Sequence, residues 1–517
     1  MKSVALPGPG WRWRWPATLA TLAALALASA ALYQPQYIMA PLAGVEPGAS
    51  FTVTLAAIPA LVLLLAALVR PELALCFVVL TAPLFFRARG FWDTQLGIEG
   101  KYIPLHEIML LIALAATGAD WLRQRHPQAG TRPGRRELRA MALPALWALA
   151  GLIGVAVAGE IGRKAALREL RWMIIEPIIF YALILYWGRR GEIRRHLLWT
   201  LVATGVLASI VALLQRYQIN LAPDEGLGIC NSQFIVEAGG VTRQSSVYCH
   251  PNNFALLAER VWPIALVLGA AELIRRGAGG PVERKKLLLA GGFIACCLLI
   301  VAAMLLGYSR GARFASAIGL FALAALTRRW PVVIGVGALL AAGLLYSSIN
   351  GPERLQVKAE STNARLSVWR SSLAMLRDHP IAGIGLDQFY YHFNPAYSTA
   401  YIEPALRDDP SEQQTSHPHN LLLDLLLRVG IFGTAVFAAL IGRTFGRGWR
   451  AWRDPGGAER WLALAALAGL GVGLLHGAVD QTYFAGDLAI ITWAFIAIID
   501  GISERQAAAP APAPAGS

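Results

Sequence analysis

The sequence predicts an all-α, polytopic integral membrane protein with about 12–14 transmembrane helices. Three observations carry that prediction. Hydrophobic residues fill 56% of the 517 positions and charged residues only 15%, a balance with mean hydropathy +0.50 that ordinary soluble domains do not show. Apolar runs of roughly 20 residues, the length that crosses a bilayer, recur along the chain. Basic residues gather in alternate connections, as they do in loops retained on the cytoplasmic side.

Taken in order, the runs lie near residues 17–33, 52–69, 72–87, 103–122, 141–159, 168–187, 196–215, 253–274, 287–307, 311–327, 331–348, 420–442, 461–478 and 483–500. Arg12 and Arg14 precede the first run and place the N-terminus inside. Ala28-Ser29-Ala30 after an Arg/Trp-rich start also has the pattern of a cleaved leader. The multispan chain that follows favours a retained helix. Inside loops then hold Arg123, Arg125, Arg132, Arg135, Arg136 and Arg139, next Arg189, Arg190, Arg194 and Arg195, next Arg275, Arg276, Arg284, Lys285 and Lys286. Arg328 and Arg329, and then Arg443, Arg447, Arg450 and Arg453, complete the series. The net charge of +14 is therefore a topology signal, and no nucleic-acid partner is expected.

The same alternation turns two long polar segments outward, 216–252 and 349–418. The organisation is N-terminal helices over 1–160, central helices over 161–348 with the first outer loop at 216–252, a large outer segment with helical character over 349–418, and C-terminal helices over 419–503. The Ala/Pro tail 504–517 reads as disordered. Of five cysteines, Cys76, Cys296 and Cys297 fall in apolar runs as small hydrophobes. Cys230 and Cys249 share the first outer loop, where an oxidising exterior permits a disulfide worth about 3 kcal/mol; two free thiols are the alternative. The Cys and His residues show no metal-ligand spacing, so no metal site is expected.

Positive charge is depleted from outer connections unless something retains it, which makes the arginines there informative. Arg163, Lys164, Arg168, Arg171, Arg243, Arg260, Arg310, Arg313, Arg365 and Arg370 fall on that side, several at the outer ends of different spans. Converging ends would form an anion pocket, since the guanidinium fork binds phosphate through two parallel hydrogen bonds. Each has a plainer reading. Arg168 and Arg171 share a helix face with Glu169 and Glu176 nearby, Arg260 follows Glu259 inside a span, and the Arg243 loop could be merely solvated. Arg310, in Tyr308-Ser309-Arg310-Gly311, occupies a tight connection that has no other need of charge.

The second outer segment carries an amphipathic helical stretch with Leu366, Trp369 and Leu373 on one face, then the turn Asp378-His379-Pro380 to Gly383-Ile384-Gly385, then the aromatic run Phe389-Tyr390-Tyr391-His392-Phe393. Such rings stack on sugars or anchor a loop at the interface. The segment ends in Thr415-Ser416-His417-Pro418-His419-Asn420, where a polar stretch meets an apolar one. An imidazole at that junction can reach a water-soluble group while its neighbours hold a lipid-linked one.

In combination these motifs resemble the O-antigen ligase and O-antigen polymerase family of bacterial envelope glycosyltransferases. The resemblance rests on Arg365 with Trp369, the 378–385 turn, His419-Asn420 with Gly430, Tyr308-Ser309-Arg310-Gly311, His250-Pro251-Asn252 before a span, and the late pair His476 and Asp480, over roughly 160–485. It implies a GT-C-like membrane enzyme of the bacterial inner membrane with its site facing the periplasm. It implies an inverting transfer, without cofactor or metal, from a polyprenyl (undecaprenyl) pyrophosphate glycan to an acceptor hydroxyl, of the lipid A core in ligases or of a second lipid-linked glycan in polymerases. His419 matches the essential histidine, and Arg243, Arg310 and Arg365 match the pyrophosphate-binding arginines; Arg168 is taken with them as a further candidate to bind the pyrophosphate. Asn420, His417, Asp480 and Asn252 are secondary, His417 being expected on another helix face. Relatives often carry an acid in the turn before the glycine; here Arg428 stands four residues after Asp424, spacing suited to an ion pair.

Two readings from other classes remain. A flippase or transporter of lipid-linked oligosaccharides also needs many spans and an arginine-lined path, but transporters bury charge near the midplane and show internal repeats, and no repeat is evident here. A structural assembly protein would tolerate loss of His419.

Overall fold

A computed structural model describes residues 70–87, 89–90, 102–123, 135–188, 192–217, 235–238, 241–248, 250–274, 284–328, 354–403 and 415–508, with short stretches between 334 and 342. The expected spans near 17–33 and 52–69, most of 331–348, and both Cys230 and Cys249 lie outside the described residues.

The helices in chain order are α1 (Pro71–Thr81, extended by a 3-10 turn, Ala82–Arg87), α2 (Leu105–Arg123), α3 (Arg135–Val157), α4 (Arg163–Glu169), which runs through a π turn (Leu170–Ile175) into α5 (Glu176–Gly188), and α6 (Ile193–Arg216). Next come α7 (Pro251–Ile274), α8 (Arg284–Leu306), α9 (Arg310–Thr327), α10 (Arg354–Asp378) and α11 (Phe389–Phe393). The C-terminal part holds α12 (Leu421–Arg453), α13 (Arg460–His476) and α14 (Gly486–Ala508). Two short antiparallel hairpins interrupt this all-α architecture, β1 (Arg89–Gly90) with β2 (Tyr102–Ile103), and β3 (Ile235–Ala238) with β4 (Val241–Gln244). The second falls within 216–252 and carries Arg243 opposite Val236.

Among the described residues, 8 helical stretches are long and apolar enough to cross a membrane. They coincide with the runs expected near 103–122, 141–159, 168–187, 196–215, 253–274, 287–307, 420–442 and 483–500. The protein is therefore a multi-pass membrane protein. Helices α1 and α13 are apolar but shorter, and α9 carries Arg310 and Arg313 in its first turn.

Helices α7 and α14 form the centre, with 94% of the apolar stretch of each buried. A helix apolar on every side can satisfy that pattern only when other helices surround it; α8 and α13 pack on α7, and α5 and α12 on α14. Asp500 on α14 is paired, as a lone charge buried there would cost several kcal/mol. Asp500 accepts from Arg443 at 2.8 Å, Arg447 at 2.7 Å and the Tyr181 hydroxyl at 2.9 Å. Nearby in the bundle, Arg194 grips Glu459 through two bonds of 3.0 and 3.1 Å. These pairs lie at the end bearing the basic loops.

The opposite end is organised by a break in α12. Gly430 has φ +66° inside that helix, a left-handed conformation that glycine adopts without strain. The break deprives the Leu427 carbonyl of its helical donor, and the 378–386 turn supplies replacements. Ile384 and Gly385 donate to Leu427 O at 2.7 and 3.1 Å, while Ile431 N–H turns to Ile381 O at 2.9 Å. The approach is so close that a Cβ at residue 430 would strike the Ile381 carbonyl and lie 2.8 Å from Ala382 C. Gly430 and the 383–385 turn are thus one device, and it fixes the segment after α10 against the first part of α12.

Candidate active site

The segment 415–420 is not helical. Its last residue, Asn420, caps α12 by accepting from Leu423 N–H at 3.0 Å, and it donates to Ala478 O at 2.9 Å. Leu421 N–H donates to Gly477 O at 2.7 Å. These bonds stitch the 415–421 segment to the loop between α13 and α14. His419 is held between them at φ +49°, a conformation uncommon outside glycine that persists where surrounding bonds over-determine it.

The consequence is a His–Asp pair. His419 Nδ1 lies 3.0 Å from Asp480 Oδ1, which also accepts from Gln481 N–H at 2.8 Å. With Nδ1–H donating to the carboxylate, Nε2 is left as the basic nitrogen of a ring 25% exposed. His417 is placed differently from the expectation that it would occupy another helix face. Because 415–420 is extended rather than helical, its Nε2 comes within 3.7 Å of the same Asp480 oxygen, and the two imidazoles lie 4.3 Å apart. Burial alone would raise the Asp480 carboxyl, but hydrogen bonds and charge from His417 and His419 outweigh it and hold the group well below the usual carboxylate range. His417 is lowered by burial and by His419, with Asp480 opposing.

Three of the four expected arginines join this cluster. Arg365, on α10, reaches Asp480 Oδ2 at 3.8 Å. Arg310, the first residue of α9, is lowered by burial and then by the charge of Arg365. Arg243 donates to Gly307 O at 3.0 Å and to Asn252 Oδ1 at 2.9 Å, which ties β4 to the starts of α7 and α9. Burial, then Arg313 and Arg310, bring its guanidinium down to about 10. Asn252 is thereby a holder of Arg243, and its own N–H donates to His250 Nδ1 at 3.1 Å. His250 is lowered to about 4 by the atoms crowding its ring and then by Arg243, although the residue still reaches the surface.

Beyond burial, Arg243 feels the charges of Arg313 and Arg310, and Arg310 that of Arg365, so like charge is gathered here. It is reinforced by the N-termini of α7, α9 and α12, which end at this site and present the positive poles of their dipoles. The arrangement can receive a polyanion beside a base.

Arg168 has a different set of partners. It pairs with Asp387 at 3.3 Å and stacks on Trp172. The Asp424–Arg428 pair forms as the spacing suggested, at 2.7 Å, and Arg428 also binds Glu169, approaches Asp387 at 3.9 Å and donates to Ser416 O at 3.4 Å. Arg428 therefore clamps the His-bearing segment from behind. Arg260 pairs with Glu259 at 3.5 Å, the structural reading of that residue. The chain spacing of Cys and His gives no sign of one group that the fold assembles. Ligand atoms of His417, His419 and Asp480 lie within 4.8 Å of one another, brought together by folding from positions 61 or more residues apart in the case of Asp480.

In comparisons with known proteins, residues 295–438 match the model of the O-antigen ligase family, which supports assigning the chain to the O-antigen ligase/polymerase family. The match contains Arg310, Arg365, His417, His419, Asn420 and Gly430, whereas Arg243, His476 and Asp480 fall outside it. No curated protein matches the chain.

Proposed function

We propose that this protein is an O-antigen ligase-like glycosyltransferase of the bacterial inner membrane, moving a glycan from a polyprenyl pyrophosphate carrier to an acceptor hydroxyl at the periplasmic face. The observation that carries the reading is the grouping of the Asp480–His419 pair with Arg365, which reaches Asp480, and with Arg310 and Arg243, whose charges follow on from Arg365, at the end of the bundle away from the basic loops.

In this reading His419 Nε2 takes the proton of the acceptor hydroxyl. The acceptor oxygen forms a bond to the sugar C1 as the C1–O bond to pyrophosphate breaks, and the electron pair leaves on the pyrophosphate. Attack from the face opposite the leaving group inverts C1. Asp480 fixes the ring tautomer and stabilises the imidazolium, as buried carboxylates do beside catalytic histidines. Arginines already in place stabilise the departing charge without reorganising. Base catalysis and electrostatic stabilisation each contribute roughly 10²–10³-fold or more. The reaction needs no metal in this scheme, because a sugar pyrophosphate leaves readily once its charge is met.

The test is reconstitution of the full-length protein with a polyprenyl pyrophosphate glycan and, in separate reactions, a lipid A core or a second carrier-linked glycan. Glycan transfer to the lipid A core, undiminished by EDTA and abolished by His419→Ala, is the expected result. Transfer only between carriers makes the protein a polymerase. Loss of activity in EDTA would turn His417, His419 and Asp480 into metal ligands, and glycan flipping without bond formation would overturn the enzyme reading.

A further inference from the structure

Behind Asp480 stands a second carboxylate. Glu259 lies on α7 at 0% exposure, and its Oε2 is 2.7 Å from Nδ1 of His476, the last residue of α13, which is 1% exposed. The opposite nitrogen, His476 Nε2, faces Asp480 Oδ2 at 4.0 Å. The same imidazole thus stands between two carboxylates, Glu259 deep in the bundle and Asp480 at the His419 site. The chain Glu259, His476, Asp480, His419 joins α7, α13, the 477–485 loop and the 415–420 segment.

Two features show that the position of His476 is built into the fold. Gly311, from the Tyr308–Gly311 motif, leaves space for the ring: a Cβ there would strike Nε2 and lie 2.6 Å from Cδ2. Arg260, beside Glu259, donates to Thr482 O at 2.6 Å, so the loop carrying Asp480 is tied to α7 a second time. Burying Glu259 inside an apolar helix costs several kcal/mol unless it is paired, and apolar residues of similar volume would commonly be as stable. Stability alone gives no reason for it.

We propose that Glu259 and His476 are positioning residues: they hold the Asp480 carboxylate, and through it the His419 ring, in the orientation that proton abstraction requires. The proposal rests on His419 being the base. His476 presents one nitrogen to each carboxylate; released from Glu259 it is free to rotate, and Asp480 then loses the partner on its Oδ2 side other than Arg365.

The experiment is a double-mutant cycle on initial rates of glycan transfer by the purified full-length protein, with melting temperature measured for every variant. Glu259→Ala and His476→Gln are each expected to lower kcat roughly 10–100-fold, the usual effect of removing a group that orients a catalytic one, with the donor KM within about twofold. In an Asp480→Asn background Glu259→Ala should add less than about threefold, because residues acting through one another are not additive. Glu259→Gln, which keeps an acceptor for His476, should recover part of the loss. Should Glu259→Ala not fold, Gly311→Ala displaces His476 without touching a charged group and is expected to lower kcat alike. Wild-type kcat in Glu259→Gln and Gly311→Ala, or a full additional loss in the Asp480→Asn background, overturns the proposal. If His419→Ala itself retains transfer, the reading of the site fails instead.

Discussion

Replacing Asp480 by Asn keeps the shape of the site and removes one charge. The carboxylate stands 3.0 Å from His419 Nδ1 and 3.8 Å from Arg365. At an effective dielectric constant of about 20, a unit charge about 4 Å from the imidazolium formed in the transition state is worth about 4 kcal/mol. That corresponds to roughly 10³-fold in rate. In the variant the Asn side-chain oxygen can still accept from His419 Nδ1–H, and Arg365 becomes freer to meet the donor. Asp480→Asn should therefore lower kcat by about 10³-fold with the donor KM unchanged or lower. Initial rates over a range of carrier-linked glycan concentrations measure both. A variant with kcat within about threefold of wild type would refute the pairing as a catalytic device, and a large rise in KM at constant kcat would assign Asp480 to binding.

Further outcomes follow from the same geometry. Arg310→Ala and Arg365→Ala should raise the donor KM roughly 10–100-fold, the loss of a charge-assisted hydrogen bond, whereas Arg168→Ala, exposed and paired with Asp387, should change it less than about fivefold; titration with the pyrophosphate carrier separates the two. Gly430→Ala should destabilise by at least about 2 kcal/mol, from a strained positive φ and the Ile381 and Ala382 contacts, which a thermal unfolding scan reads as a lowered midpoint. His250 has its folded pKa lowered to about 4, below an unfolded value of about 6.5. The unfolded chain then binds more protons between those values, so His250 subtracts stability as pH falls through that window and nothing above it. His250→Gln should flatten the melting-temperature profile between about pH 6.5 and 4; an unchanged slope would show that the ring is solvated.

Much of the bundle was legible because a spanning helix must be continuously apolar, and α2, α3, α6, α7 and α8 start and stop within a few residues of the predicted runs. The start of α12 could be read from Asn420, whose amide is an N-cap by chemistry. Placing His417 on another face of that helix followed from extending the helix one turn too far toward the N-terminus. The cap ends it at Asn420, and the residues before it bring both imidazoles to one carboxylate. Arg168 was grouped with the other outer arginines on charge and side alone. Its partner, Asp387, lies 219 residues away and left no local trace. Glu259 and His476, separated by 217 residues, are a further case: a buried acid beside Arg260 reads as a local ion pair, and only the packing of α13 on α7 shows that it also binds His476. Sequence spacing reports contacts within a helix, and this site is made almost wholly between helices.

The most direct measurement is an experimental structure of the protein bound to a non-hydrolysable polyprenyl pyrophosphate analogue. The account places the pyrophosphate oxygens within about 3 Å of the guanidinium nitrogens of Arg243, Arg310 or Arg365, with His419 Nε2 turned toward the sugar C1. A pyrophosphate seated at Arg168 and Asp387, or at the basic-loop end beside Arg443 and Arg447, would contradict it.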